Sequence, residues 1–228
     1  MTEVQCNGNA SPLISNSLNP NDSHRSWVVQ KFGGTSVGKF AVNIAEDIVR
    51  ASLKDHRIAV VCSARSTGKK VEGTTSRLLE IYSVLQSVNS AKDSDSDSYK
   101  SLISKYEELV DVIRDDHISA AKSHIQDEAI VSKLADDIRA ECKEILEYRL
   151  AVERWHLEID SRSKDRLVSF GEKLSCKFVA ALLQDRGVDA EYLDLSDAIH
   201  FKTPKGMNFE FYKDVAAAIK EKDRRLPG

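Results

Sequence analysis

A phosphate-handling chemistry is within reach of the stretch "VVQKFGGTSVGKF", Val28 to Phe40, which carries two lysines, Lys31 and Lys39, around a pair of glycines. Glycines between a strand and a helix let the backbone approach an anion closely, while free N–H groups and the helix dipole favour negative charge. Gly33, Gly34, Thr35 and Ser36 meet that need, and so does a plain strand-to-helix turn with an N-capping Thr or Ser. Read from Gly33 the stretch is also G-x-x-x-x-G-K, but a P-loop then requires Ser or Thr to hold magnesium, and Phe40 stands there. Gly38 and Lys39 moreover fall inside the predicted helix rather than in a loop before it. Lys31, on the predicted strand before the glycines, reads on the residues alone as a strand-end lysine reaching solvent.

The elements that must position these residues follow from periodicity. "WVVQKF" is β-branched and aromatic and short enough to be a buried strand. Val37, Ala41, Ile44, Ala45, Ile48, Val49 and Ala51 recur at helical spacing, predicting an amphipathic helix over 37–53. "RIAVVCSA", 57–64, is a near-continuous apolar run, as in a parallel strand covered on both faces. Strand, helix, strand makes a βαβ unit. After the loop "RSTGKKVEGTT" a helix is expected to open near Thr75, and "SAKDSDSDS", 90–98, reads as a solvated acidic connection. Helical periodicity then fills a helical insertion at about 99–160, with a gap around Ile125 to Glu128. "DRLVSFGEKLSCKFVAALLQDRG" predicts a further helix with Gly187 as its C-terminal cap glycine, "VDAEYLDL" a strand, and "NFEFYKDVAAAIKEK" a final helix.

Composition bounds the function. The chain has 228 residues, 41% of them hydrophobic, enough for a packed α/β core. A net charge of -3 carries no polybasic footprint, so neither nucleic acid nor an anionic membrane surface is called for as a partner. The 4 cysteines, Cys6, Cys62, Cys142 and Cys176, form no C-x-x-C pair, which argues against a disulfide framework or zinc site and for a reducing compartment. The 6 histidines, His117, His156 and His200 among them, are scattered and read as surface or interhelical residues, so no metal site is expected. Residues 1–26, rich in Asn and Ser, lack the pattern of a secretory signal and read as a disordered leader on a cytoplasmic protein.

Lys31 with "FGGTS", then "VVCSA", "EGTTSRLL" and "SFGEKLS", occur in the order that marks the aspartate kinases. From Trp27 to its carboxyl end the chain resembles the amino-terminal part of a fungal-type aspartate kinase, within the amino-acid-kinase superfamily. The resemblance implies an α/β fold, a three-layer αβα sandwich with a mainly parallel sheet and a helical insertion. It implies transfer of the γ-phosphoryl of ATP, with Mg2+, to the β-carboxylate of L-aspartate, the opening step toward threonine, methionine and isoleucine. It assigns Lys31 and Glu172 to catalysis, Lys31, Gly33, Gly34, Thr35 and Ser36 to the nucleotide phosphates, and Ser63, Thr75 and Glu172 to aspartate.

Each assigned residue keeps a plain alternative. Ser63 reads equally as a strand-end serine capping the next turn. Thr74 or Thr75 reads as a helix N-cap. Glu172 reads as a first-turn glutamate stabilised by its helix dipole.

The resemblance also implies that the family's later Gly-Arg-Gly segment and ACT regulatory domains have no counterpart here, leaving the amino-acid-kinase domain incomplete at 27–228. Three functional readings follow: an aspartate kinase represented by part of its length, an inert partner of a full-length aspartate kinase subunit, or a paralogue serving a specialised metabolite. Self-association into a homo-oligomer is open in each.

Overall fold

The computed structural model describes residues 25–68, 73–91, 96–196 and 208–222. Most of the proposed leader, the middle of the loop before Thr75 and the centre of the acidic connection lie outside the described residues.

Strand β1 (Trp27–Phe32) and strand β2 (Arg57–Cys62) form a parallel two-stranded sheet, in register from Trp27 opposite Arg57 to Phe32 opposite Cys62. Alternation along the strands divides their side chains between two faces. Val28, Phe32, Ile58, Val60 and Cys62 pack into the helical core, and Gln30 Nε2 on the same face donates to Ser52 Oγ at 2.9 Å. Val29, Lys31 and Val61 occupy the other face and are exposed. Among the described residues helices cover one face of the sheet, so the α/β class stands with one of the two helical layers of a three-layer sandwich in view.

The connection between the strands is more broken than a single helix over 37–53. Helix α1 (Gly34–Lys39) begins at Gly34 and stops at Phe40, whose N–H donates to the Ser36 carbonyl. Short helices α2 (Ala41–Asn43) and α3 (Arg50–Ser52) then flank a π-helical stretch, Ile44–Val49. A π turn brings residues five apart onto one side. Ile44 and Val49 are therefore buried together, while Ile48, expected on the apolar face, is 42% exposed.

Five longer helices follow: α4 (Thr74–Ser90), α5 (Asp97–His124), α6 (Glu128–Trp155), α7 (Ser161–Asp185) and α8 (Phe209–Lys222). Their starts carry polar caps where the chain supplies them. Ser96 accepts from the Tyr99 N–H, Asp127 from those of Ala129 and Ile130, and Asp160 forms a capping box with Ser163. Helices α5 and α6 are antiparallel, since Tyr99 Oη donates to Glu153 and Tyr106 Oη to the Ile145 carbonyl, both at 2.8 Å. Tyr106, Ile113, Ile138, Ile145, Leu174 and Phe178 fill the core that α5, α6 and α7 share.

Gly187, at φ 74°, ends α7 in the left-handed conformation that glycine adopts without strain. The strand expected over Val188 to Leu195 does not form. The segment runs back along α7 instead, held by Gln184 Nε2 on the Ala190 carbonyl, by Lys177 over the Tyr192 ring and by Lys173 on Asp194 at 3.3 Å. Partial burial alone would raise the Asp194 carboxyl, but hydrogen bonds from the Ser196 hydroxyl and N–H, with Lys173, bring it down to about 2.

Candidate active site

The carboxyl ends of β1 and β2 open onto a loop, Ser63 to Ser66, on which four other elements converge. Ser63 N–H donates to the Phe32 carbonyl at 3.0 Å, keeping the two strand ends side by side. On the α1 side the contact is backbone on backbone. Ser66 N–H donates to the Gly34 carbonyl at 3.0 Å. A Cβ added at Gly34 would stand 2.0 Å from the Ala64 carbonyl oxygen, and one at Gly38 2.1 Å from that of Ser66. Gly34 and Gly38, one turn apart, are thus the flat surface on which α1 lies against the loop.

Arg65 fixes the loop to the helices. Its N–H donates to Ser175 Oγ on α7 at 2.7 Å, and its buried guanidinium pairs with Asp116 on α5 at 2.5 Å. Its carbonyl accepts from the Thr74 N–H at 3.2 Å, which seats the start of α4. Gly171 of α7 completes the junction, since a Cβ there would stand 2.7 Å from Ala64 Cβ.

The structure therefore gathers the elements bearing Lys31, Gly33 to Ser36, Ser63, Thr75 and Glu172 around one loop. Lys31 is exposed near the end of β1, opposite Val61. Gly33 is the N-cap of α1, with no side-chain cap bond, and a Cβ added there would meet nothing within 4 Å, so its backbone is open to an approaching group. Thr35 and Ser36 are inside the first turn rather than capping it. Gly73 caps α4, which leaves Thr74 and Thr75 within its first turn. Thr75 is exposed, and Thr74 is buried with its hydroxyl unpartnered among the described residues.

Glu172 is one residue beyond Gly171 in the middle of α7, half-buried. Helix-dipole stabilisation is confined to the terminal turns, so the first-turn explanation of this glutamate does not apply. Lys39, the lysine of the incomplete P-loop, lies in the last turn of α1, at the opposite end of that helix from Gly33. Phe40 is the C-cap that stops α1, not a residue within a continuous helix.

Arg65, Asp116 and Ser175 are the residues that sequence reasoning passed over. Arg65 directly follows the apolar run of β2 and had a signal in its place in the loop. Asp116 and Ser175 had none, being ordinary polar residues within helical periodicity. Among the described residues no group of three or more His, Cys, Asp or Glu side chains is arranged to hold a metal ion, and no helix is long and apolar enough to cross a membrane.

Residues 26–223 match the Amino acid kinase family. The chain is 44% identical over 194 residues to aspartate kinase FUB3 of Gibberella moniliformis, an alignment covering 85% of this chain and 38% of that protein. It is 41% identical over 208 residues to the aspartokinase of Saccharomyces cerevisiae, covering 89% of this chain and 36% of that protein. To the aspartokinase of Schizosaccharomyces pombe it is 38% identical over 203 residues, again covering 89% and 36%. The chain spans a little over a third of the length of these curated relatives. A parallel strand pair ending on a glycine-packed loop, with this match along nearly all of its described residues, makes the chain a member of the amino acid kinase family.

Proposed function

We propose that this chain carries the aspartate-binding and part of the phosphate-binding machinery of an aspartate kinase, which transfers the γ-phosphoryl of ATP to the β-carboxylate of L-aspartate. One observation carries the reading. The elements bearing Lys31, Gly33 to Ser36, Ser63, Thr75 and Glu172 meet at the Ser63 to Ser66 loop, in a chain similar to proteins named aspartate kinase.

The chemistry asks little of acid–base groups. A carboxylate with an ordinary pKa near ~3.9 is ionised at neutral pH and needs no general base. A carboxylate oxygen attacks the γ-phosphorus, the bond to the ADP oxygen breaks, and an acyl phosphate forms. The task is to hold two anions together and to neutralise charge on the transferred oxygens. Lys31 supplies the cation, and the open backbone at Gly33 with the Thr35 and Ser36 hydroxyls supplies donors. Glu172 pairs with the substrate α-ammonium, and Ser63 and Thr75 hold the substrate end. Mg2+, when bound, spreads the phosphate charge. The acyl phosphate product suits amino-acid biosynthesis toward threonine and methionine in the cytoplasm.

The test is aspartate-dependent ADP release with hydroxylamine trapping of the acyl phosphate, alongside binding of a fluorescent ATP analogue. Lys31→Ala is expected to lower turnover by about 10²-fold or more, and Lys39→Ala to change nucleotide binding by less than about 2-fold, as a surface substitution away from a site does. Nucleotide binding that depends on Lys39 and not on Lys31 would overturn this assignment of the loop.

A further inference from the structure

Helix α7 touches the Ser63 to Ser66 loop at two points one turn apart. Gly171 lies on Ala64, where an added Cβ would stand 2.7 Å from the alanine Cβ, and Ser175 Oγ accepts the Arg65 N–H at 2.7 Å. Residues four apart share one helix face, and Glu172 sits between these two points in sequence. Arg65 uses its other backbone group on α4, its carbonyl accepting the Thr74 N–H at 3.2 Å. A single loop residue is thus bonded through its backbone to both helices. The residues assigned to aspartate cluster in sequence around this junction: Ser63 is two positions before Arg65, Thr75 directly follows Thr74, and Glu172 is three positions before Ser175.

Ser175 differs from other helical serines of the molecule. Ser83, Ser87 and Ser123 are exposed and turn their hydroxyls back on the carbonyl four residues earlier, at 3.1, 3.1 and 2.8 Å, as serines within helices often do. Ser175 is fully buried, and its oxygen receives an N–H from a loop 110 positions away. Alanine would fill nearly the same space, so packing alone does not call for the hydroxyl.

We propose that Ser175 is a positioning residue for the substrate, whose hydroxyl sets the span between Glu172 on one side and Ser63 and Thr75 on the other. The role rests on the proposed function, which assigns those three residues to aspartate, whereas the bond between Ser175 and Arg65 does not.

Aspartate presents an ammonium at one end and a carboxylate at the other, so a site that grips both ends depends on the spacing of its own groups. The carbon contact at Gly171 keeps α7 near the loop but has no preferred direction. A hydrogen bond has one, and it fixes the turn of the helix that carries Glu172. The residues assigned to the phosphates reach the loop by another route. The Gly34 carbonyl accepts the Ser66 N–H at 3.0 Å, and α1 rests on the loop through Gly34 and Gly38. Loss of the Ser175 hydroxyl is therefore felt at the aspartate end and not at the nucleotide end.

The experiment compares the full chain with its Ser175→Ala variant by two readouts. In aspartate-dependent ADP release the KM for aspartate is expected to rise about ten-fold, while the KM for ATP stays within about two-fold. A general loosening of the fold would move both. In amide hydrogen exchange followed by NMR, Arg65 is expected to exchange about ten-fold faster or more, with the Ile113 amide inside α5 unchanged. Ser175→Cys, kept reduced, is nearly isosteric and only weakens the acceptor, so it is expected to move both readouts the same way by about three-fold; it takes the place of the alanine variant should that one not fold. An unchanged KM for aspartate, or equal rises in the two KM values, would overturn the positioning role. Unchanged exchange at Arg65 would overturn it as well, by showing that the hydroxyl does not hold the loop. A parent chain without aspartate-dependent turnover would sink the proposed function and the role of Ser175 within it, but the exchange result would still decide whether Ser175 holds Arg65, so the two failures are told apart.

Discussion

The two ends of this molecule are held together by opposite means. In the α5–α6 pair, bulk does the holding: Tyr106, Ile113, Ile138 and Ile145 are fully buried, and polar groups reach across on long side chains, as Tyr99 Oη does to Glu153 at 2.8 Å. At the Ser63 to Ser66 loop it is the lack of side chains that holds, with Gly34, Gly38 and Gly171 letting α1 and α7 rest on Ala64 and Ser66. Side-chain packing relaxes around a change, whereas a backbone carbonyl in a fixed loop has nowhere to turn. The contrast suits the proposed division of work, in which the helices supply stability and the loop supplies position.

The sharpest way to break the contrast is to give the glycines a methyl group. Gly34→Ala and Gly38→Ala place a carbon 2.0 and 2.1 Å from backbone oxygens and are expected to cost about 3 kcal/mol or more, or to prevent folding. Gly33→Ala, with open space around it, is expected to stay within about 0.5 kcal/mol. Urea unfolding midpoints of the three variants compare them directly. Equal midpoints would mean that α1 does not lie on the loop as described. Asp116→Ala should rank next, because it leaves the buried Arg65 guanidinium without its carboxylate. A fully buried pair loses about 3–5 kcal/mol in this way, but Asp116 is 29% exposed, and solvent screening lowers the expected loss to about 1–2 kcal/mol. The same denaturation measurement checks it, and an unchanged midpoint would show that the loop does not depend on α5.

The same contrast explains what could be read from the chain alone. Side-chain packing leaves a periodic trace, so the strands at Trp27 and Arg57, the helices α5 and α6 with their break near Ile125, and the Gly187 cap were all legible. Backbone-on-backbone packing leaves almost none. Gly38 read as part of a failed phosphate loop, and nothing local marked the stop at Phe40 or the π turn after it. Val188, Ala190 and Tyr192 alternate as a strand would, but an extended segment tied along a helix alternates equally well, and only tertiary contacts separate the two. The residues proposed for the site were read through the strings around Lys31, Ser63, Thr75 and Glu172. Their supports were not, because Asp116 and Ser175 are 51 and 110 positions from Arg65 in sequence.

The smallest expected effect is at the seam between the two regions, where His117 of α5 lies buried beside the loop. Its Nδ1 donates to the Ile113 carbonyl at 2.8 Å, and its Nε2 has no partner among the described residues. Burial is the main cause that lowers its pKa below the ordinary value, with the cations of Arg65 and Arg77 acting in the same direction; the Ile113 bond and Asp116 oppose them. The folded protein therefore holds His117 neutral at pH values where the unfolded chain binds a proton. Stability linked to this residue is complete above pH ~6.5 and falls as the pH drops below it, by at most about 1.4 kcal/mol per pH unit for one proton. His124 is lowered too, chiefly by burial and then by Arg65 and Arg186, so acid sensitivity of the whole chain does not single out His117. His117→Asn keeps a donor for the Ile113 carbonyl and removes the titration. The variant should lose less stability than the parent between pH 6.5 and pH 5 in matched urea titrations. An identical slope would mean that His117 does not sense acid. A shallower one would mean that protonating a helix residue loosens the Arg65 junction, because the new charge forms beside the cation that ties the loop to α5.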